Sequence, residues 1–96
     1  MEINIKTLKF DADQKLLDFI DKKIGRIDRF YEDIVGCEVV LSLLSEPANK
    51  KVMVRVQIPG NEIIVEKSAD TFENAIVECA GIVKEKLVSV KEKKYK

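Results

Sequence analysis

Eight consecutive residues, Lys51 to Ile58, alternate in a way that only one kind of element permits. Val52, Val54, Val56 and Ile58 fall on one side; Lys51, Met53, Arg55 and Gln57 fall on the other. A period of two in β-branched residues describes a strand with one face buried, and a slip of one residue would turn that face to water. Pro59-Gly60-Asn61 then supplies a tight hairpin connection, and Glu62 to Lys67 returns as a further strand, with Ile63 and Val65 opposite Glu62, Ile64 and Glu66. Upstream, Cys37 to Ser45 places Cys37, Val39, Leu41 and Leu43 on one face, and Glu46-Pro47-Ala48-Asn49 reads as the turn that leads into Lys51. These three strands form a meander.

The rest of the chain supplies one more strand and two helices. Ile3, Ile5 and Thr7 alternate with Glu2, Asn4 and Lys6. Asp11 or Asp13 caps a first helix, in which Leu16, Leu17, Ile20, Ile24, Ile27 and Tyr31 recur as one apolar stripe. Gly25 inside this helix costs about 1 kcal/mol relative to Ala, a cost that close packing would explain. Gly36 closes this first half. Asp70 with Glu73 fits a capping box for a second helix, whose stripe is Phe72, Ile76, Cys79, Val83, Leu87 and Val90. The expected order is β-α-β-β-β-α, an α+β domain spanning residues 1–96, with a right-handed crossover after the first strand. One stripe per helix puts both helices on one face of a four-stranded sheet. The other face, with Asn4, Lys6, Lys51, Arg55 and Gln57, is expected to stay wet.

Several chemistries are excluded or disfavoured by composition. The chain has no histidine, which removes His-based acid–base and triad catalysis. Two distant cysteines supply too few metal ligands, and four scattered glycines make no phosphate cradle. Cys37 and Cys79 sit on core faces and read as buried, reduced thiols. No enzyme, cofactor, metal or small-molecule substrate is expected. The N-terminus shows no signal peptide and no segment is apolar enough to span a membrane, so a cytoplasmic address follows as an expectation.

The charge is zero overall but uneven. Residues 84–96 hold six lysines and two glutamates, a local +4, so the remainder carries −4. On the first helix, Lys15, Lys22, Arg26 and Arg29 follow at i, i+7, i+11 and i+14, all within about 40° of Lys15 at about 100° per residue. Lys23 flanks them, and Asp18 interrupts the row while forming i,i+4 pairs such as Asp18–Lys22. On the second helix, Lys84 and Lys91 are a heptad apart, with Lys86, Lys93 and Lys94 nearby. Either ridge alone is most simply a solvated face. Two ridges bordering one groove suit structured RNA, read by shape and phosphate. Phe30, Tyr31 and Tyr95 add aromatic rings, the first two partly in the core.

Two runs carry a family resemblance. Lys22-Lys23-Ile24-Gly25-Arg26-Ile27-Asp28-Arg29-Phe30-Tyr31-Glu32-Asp33-Ile34 and Asp70-Thr71-Phe72-Glu73-Asn74-Ala75-Ile76 resemble the short form of the ribosome hibernation promoting factors, also called ribosome-associated inhibitors. The opening Met1-Glu2-Ile3-Asn4-Ile5, the segment Leu16 to Ile24, Val39-Val40-Leu41, Lys86-Leu87 and Lys91-Glu92-Lys93 extend the likeness over the whole chain. The resemblance implies a fold similar to double-stranded-RNA-binding domains. It further implies a monomer that binds the small ribosomal subunit and its rRNA in the mRNA and tRNA channel and silences translation under stress. The site residues it implies are Lys22, Lys23, Arg26 and Arg29, with Lys84, Lys86, Lys91, Lys93 and Lys94. Ile82 and Glu85 stand where that family commonly has basic residues, and the dimerisation domain of the long form is not present in this sequence. A general structured-RNA binder, or a protein-interaction module using the open sheet face, are the competing readings.

Overall fold

The computed structural model describes residues 2–8, 10–45 and 49–94 of the chain. Its elements are β1 (Ile3–Leu8), α1 (Gln14–Ile24), a 3₁₀ segment (Gly25–Arg29), β2 (Gly36–Leu43), β3 (Lys50–Ile58), β4 (Asn61–Ala69) and α2 (Phe72–Lys94). The four strands form one mixed sheet in the order β1-β2-β3-β4. The pair β1–β2 is parallel, as a helical crossover requires, and β2–β3 and β3–β4 are antiparallel. The β-α-β-β-β-α order expected from the sequence is the order found.

Alternation in the strands sorts the faces. Val39 and Leu41 of β2, Val52, Val54 and Val56 of β3, and Ile63 and Val65 of β4 are buried on one side. Against them lie Leu16, Ile20, Ile24 and Ile27 from the first helical stretch and Phe72, Ala75, Ile76, Cys79, Val83 and Leu87 from α2. Each large apolar side chain buried this fully contributes about 1.5–3 kcal/mol of transfer free energy. Leu17, expected in the stripe, is only half-buried. Phe10, just after β1, stacks on Phe72 with ring centroids 4.7 Å apart and so fastens the entry of α1 to the start of α2.

The local signals also explain the ends of the elements. Asp13, rather than Asp11, caps α1: its carboxylate accepts from the backbone N–H of Leu16 at 2.9 Å. At α2 the cap is Thr71, whose hydroxyl accepts from the Asn74 N–H at 3.1 Å. The expected Asp70–Glu73 box is therefore displaced by one residue, because α2 begins at Phe72 and so makes Thr71, not Asp70, its N-cap. The β3–β4 turn consists of Pro59 and Gly60, with Ile58 paired to Asn61. Gly60 has φ 75°, the value that the second central position of a type II turn demands, and Pro59 fixes the first. The turn expected over residues 46–49 falls largely outside the described residues.

One correction and one further observation bear on function. The first helix does not continue to Tyr31 as an α-helix; it tightens to 3₁₀ at Gly25. The open sheet face is also neither purely polar nor cationic. Lys6 pairs with Glu38, Lys51 with Glu66 at 2.6 Å, and Arg55 with Glu62. Val40 lies opposite Met53 in the β2–β3 register, and Ile64, 56% exposed, lies opposite Arg55. The cations of this face are thus tied to acids that only the strand register brings near them.

Gly25 is not explained by close packing, since a Cβ built there meets nothing within 4 Å and its backbone is in the right-handed helical region. Gly25→Ala should therefore raise stability by about 0.5–1 kcal/mol through lost unfolded-state entropy. Urea unfolding followed by circular dichroism measures it, and a loss of stability would show that Gly25 is required for the 3₁₀ geometry.

Candidate nucleic-acid interface

The tightening at Gly25 changes which cations line up. An α-helix turns about 100° per residue and a 3₁₀ helix about 120°. In the 3₁₀ segment, residues three apart eclipse, so Arg26 and Arg29 project from the same side. Counted back through the junction, Lys23 and not Lys22 lies closest to that line. Ile24 and Ile27, also three apart, stay together in the core, and both are almost fully buried. The same step carries Phe30 into the line of Ile27, where it is half-buried and packs against the core. Tyr31 is buried outright.

Lys23, Arg26 and Arg29 form one wall of an open groove of about 340 Å³. The facing wall is α2, contributing Ala80, Gly81 and Lys84, and Ile27 and Phe30 make the floor. Among the described residues that line it there is no acid. Four cations surround a strip of apolar surface. The Lys84 ammonium stands over the Phe30 ring, 4.8 Å from its centroid, and the Lys23 ammonium lies 5.7 Å from the centroid of Phe19. Such contacts hold a lysine head in place without neutralising it.

The remaining residues singled out in the sequence distribute unevenly. Lys22 is exposed on α1 but does not line the groove, and Lys15 lines a separate depression with Asp13, Leu16, Phe19 and Glu73. Asp18 accepts a hydrogen bond from Gln14 at 2.8 Å. Lys91, a heptad beyond Lys84, is exposed and extends the line of the same wall. Lys86 is exposed as well, but two residues are about 200° of helix, so it emerges on the flank of α2 away from Lys84. Lys93 and Lys94 continue the helix backbone, and their side chains, like Tyr95, lie outside the described residues. Ile82 leans on the core and Glu85 is exposed, and neither lines the groove. Sequence reasoning did not place Ala80 and Gly81 in the site. Their only signal is small size at adjacent positions beside Cys79 and Val83, which leaves the wall of α2 low.

The chain was compared with known proteins. Residues 3–95 match the model of the family described as Sigma 54 modulation protein / S30EA ribosomal protein. The chain belongs to that family. Among curated members, a ribosome hibernation promoting factor from Pseudomonas putida is 27% identical over 93 residues, covering 97% of this chain and 89% of that protein. A protein of the same name from Azotobacter vinelandii is 25% identical, over 97% of this chain and 85% of its own length. Two solved structures share the fold. The Protein Y N-terminal domain of Thermus thermophilus has a TM-score of 0.84 at 22% identity, covering 94% of this chain and 99% of that one. A ribosomal subunit interface protein from Coxiella burnetii has a TM-score of 0.87 at 20% identity, covering 96% and 99%.

In this S30EA-family chain the two thiols are structural. Cys37 and Cys79 are free and buried, and the Cys79 thiol donates to the Val52 carbonyl at 3.6 Å. Burial, reinforced by the negative charge of Asp28, pushes the Cys37 pKa up to about 12. Burial, with Glu78 adding to it, pushes Cys79 up to about 11. A raised folded-state value means that the unfolded chain loses these protons first. Stability is then unaffected by the thiols below pH ~9 and falls between pH ~9 and the folded values, at roughly 1 kcal/mol per pH unit per thiol. The expected observation is a steeper alkaline decline in Tm for the wild type than for a Cys37→Val, Cys79→Val double variant. Equal slopes would show that the thiols are not desolvated.

Proposed function

We propose that this chain is a ribosome-associated hibernation factor that binds the small subunit in its mRNA and tRNA channel, contacts rRNA through the groove between the 3₁₀ segment and α2, and inhibits translation. The observation that carries this reading is the groove lined by Lys23, Arg26, Arg29 and Lys84 with no acid among its described lining residues. Family membership and the names of the curated relatives support it. The chemistry asked of the site is positioning, not catalysis. Arg26 and Arg29 can each present a planar fork to phosphate oxygens, and Lys23 and Lys84 act as point charges. Lys91 extends the cationic wall; Lys22 and Lys86 flank it and serve as secondary contacts, as do Lys93 and Lys94. The chain acts as a monomer in the cytoplasm and needs no cofactor. No described helix is long and apolar enough to cross a membrane.

A second reading has one observation in its favour. The open sheet face carries Val40, Met53 and Ile64 among internally paired charges, a surface better suited to a protein than to an anion. The two faces separate by salt. Four phosphate contacts should weaken binding roughly 50- to 150-fold between 50 and 200 mM salt, whereas an apolar protein contact would change little.

Reversing Lys23, Arg26 and Arg29 to Glu should leave the core intact, since exposed charges contribute about 0–1 kcal/mol each. Ribosome co-sedimentation and inhibition of cell-free translation should drop by about two orders of magnitude or more. Lys22→Glu should cost less than Lys23→Glu, because the 3₁₀ turn puts only Lys23 in line with Arg26. Lys51→Glu with Arg55→Glu should cost little. If the sheet variant fails and the helix variant inhibits normally, the docking surface is the sheet.

A further inference from the structure

The groove carries more than a cationic track needs. Its rim is charged, but its floor is Phe30 and Ile27, with Ala80 low on the facing wall, partly or fully buried apolar residues beneath an open cleft. A paired RNA helix offers phosphates, sugars and hydroxyls to such a surface, with its bases stacked away inside. Nothing on a duplex would use an aromatic floor. An unpaired nucleotide would, because its base has a free π-face and its phosphates lie on either side.

We propose that the groove is a subsite for a single unpaired RNA nucleotide, with the base against Phe30 and the flanking phosphates on Arg26, Arg29, Lys23 and Lys84. The proposal rests on the reading of the groove as an RNA site and adds to it which part of an RNA the groove selects. Charge complementarity fixes the occupant as anionic, and the apolar floor fixes it as one with a flat, unstacked face. Lys84 has a part in the exchange. In the free protein its ammonium covers the Phe30 ring at 4.8 Å. An incoming base takes that face, and the flexible lysine swings outward to the phosphate beside it. Gly81 keeps the entrance low: a Cβ built there meets nothing within 4 Å. A larger side chain at this position has room for its first carbon and would extend over the groove, and α2 would gain helix propensity from it.

The test uses two blunt RNA duplexes of the same sequence, one with a single-nucleotide bulge of 2-aminopurine. Kd is measured by anisotropy at 50, 100 and 200 mM salt, together with quenching of the 2-aminopurine. The bulged duplex is expected to bind about tenfold more tightly, with its fluorescence quenched on binding. Phe30→Leu should abolish the preference while leaving the salt slope unchanged, since all four cations remain. Phe30→Tyr should retain it. Gly81→Leu should reduce it in a protein at least as stable as the wild type, so the test stands even if Phe30→Leu fails to fold. Equal binding of both duplexes with a steep salt slope leaves the RNA reading intact and overturns the nucleotide subsite. A bulge preference that survives both Phe30→Leu and Gly81→Leu also overturns it. No binding of either RNA, or displacement by an acidic, aromatic peptide alone, overturns the subsite and the RNA reading of the groove together.

Discussion

Everything in this molecule hangs on the burial of one face of β3. Val52, Val54 and Val56 are fully buried between their neighbours on β2 and β4 and beneath both helical layers. Because side chains alternate, the other face is released at the same stroke, and a slipped register would drive Arg55 and Gln57 into the core. A sheet with one covered face needs two helices side by side to cover four strands. Wherever two helices lie side by side, a groove runs between them. The site is thus not an addition to the fold but the seam that its packing leaves open.

The two exposed surfaces differ in how their charges are used. On the open sheet, lysine and arginine meet glutamates across neighbouring strands, so the field of that face is largely cancelled at short range. In the groove, two of the four cations, Lys23 and Lys84, stand over aromatic rings instead, and a ring leaves the charge available. A chain with no net charge can therefore be strongly polarised. Any anionic molecule that approaches such a chain is drawn to one side and oriented before contact.

How much of this was legible depended on whether a signal is local. The strands were legible because a period of two shows within one segment, and the α2 stripe because it repeats without a break from Phe72 to Val90. The end of α1 was not. Whether Gly25 to Arg29 bond i→i+3 or i→i+4 changes no residue type and hardly alters the burial of Ile27, yet it exchanges Lys22 for Lys23 on the cationic line. The pairing on the sheet was hidden for another reason: Lys6 and Glu38 become neighbours only through the parallel register of β1 on β2. The caps misread by one or two positions show the ordinary ambiguity of adjacent polar residues, Asp11 against Asp13 and Asp70 against Thr71.

The two walls of the groove come from opposite halves of the chain. Arg29 and Lys84 are separated by 55 residues (84 − 29), and the whole β2-β3-β4 meander lies between them. The meander pairs strands adjacent in sequence, while β1 joins β2 across a crossover and α2 docks beside the first helical stretch on the same sheet face, so contacts of high sequence separation complete the structure. During synthesis the first wall emerges long before the second. A half-made chain displays lysines and arginines but no cleft to hold them on two sides. The groove is thereby timed: it exists only when the last helix has been laid down.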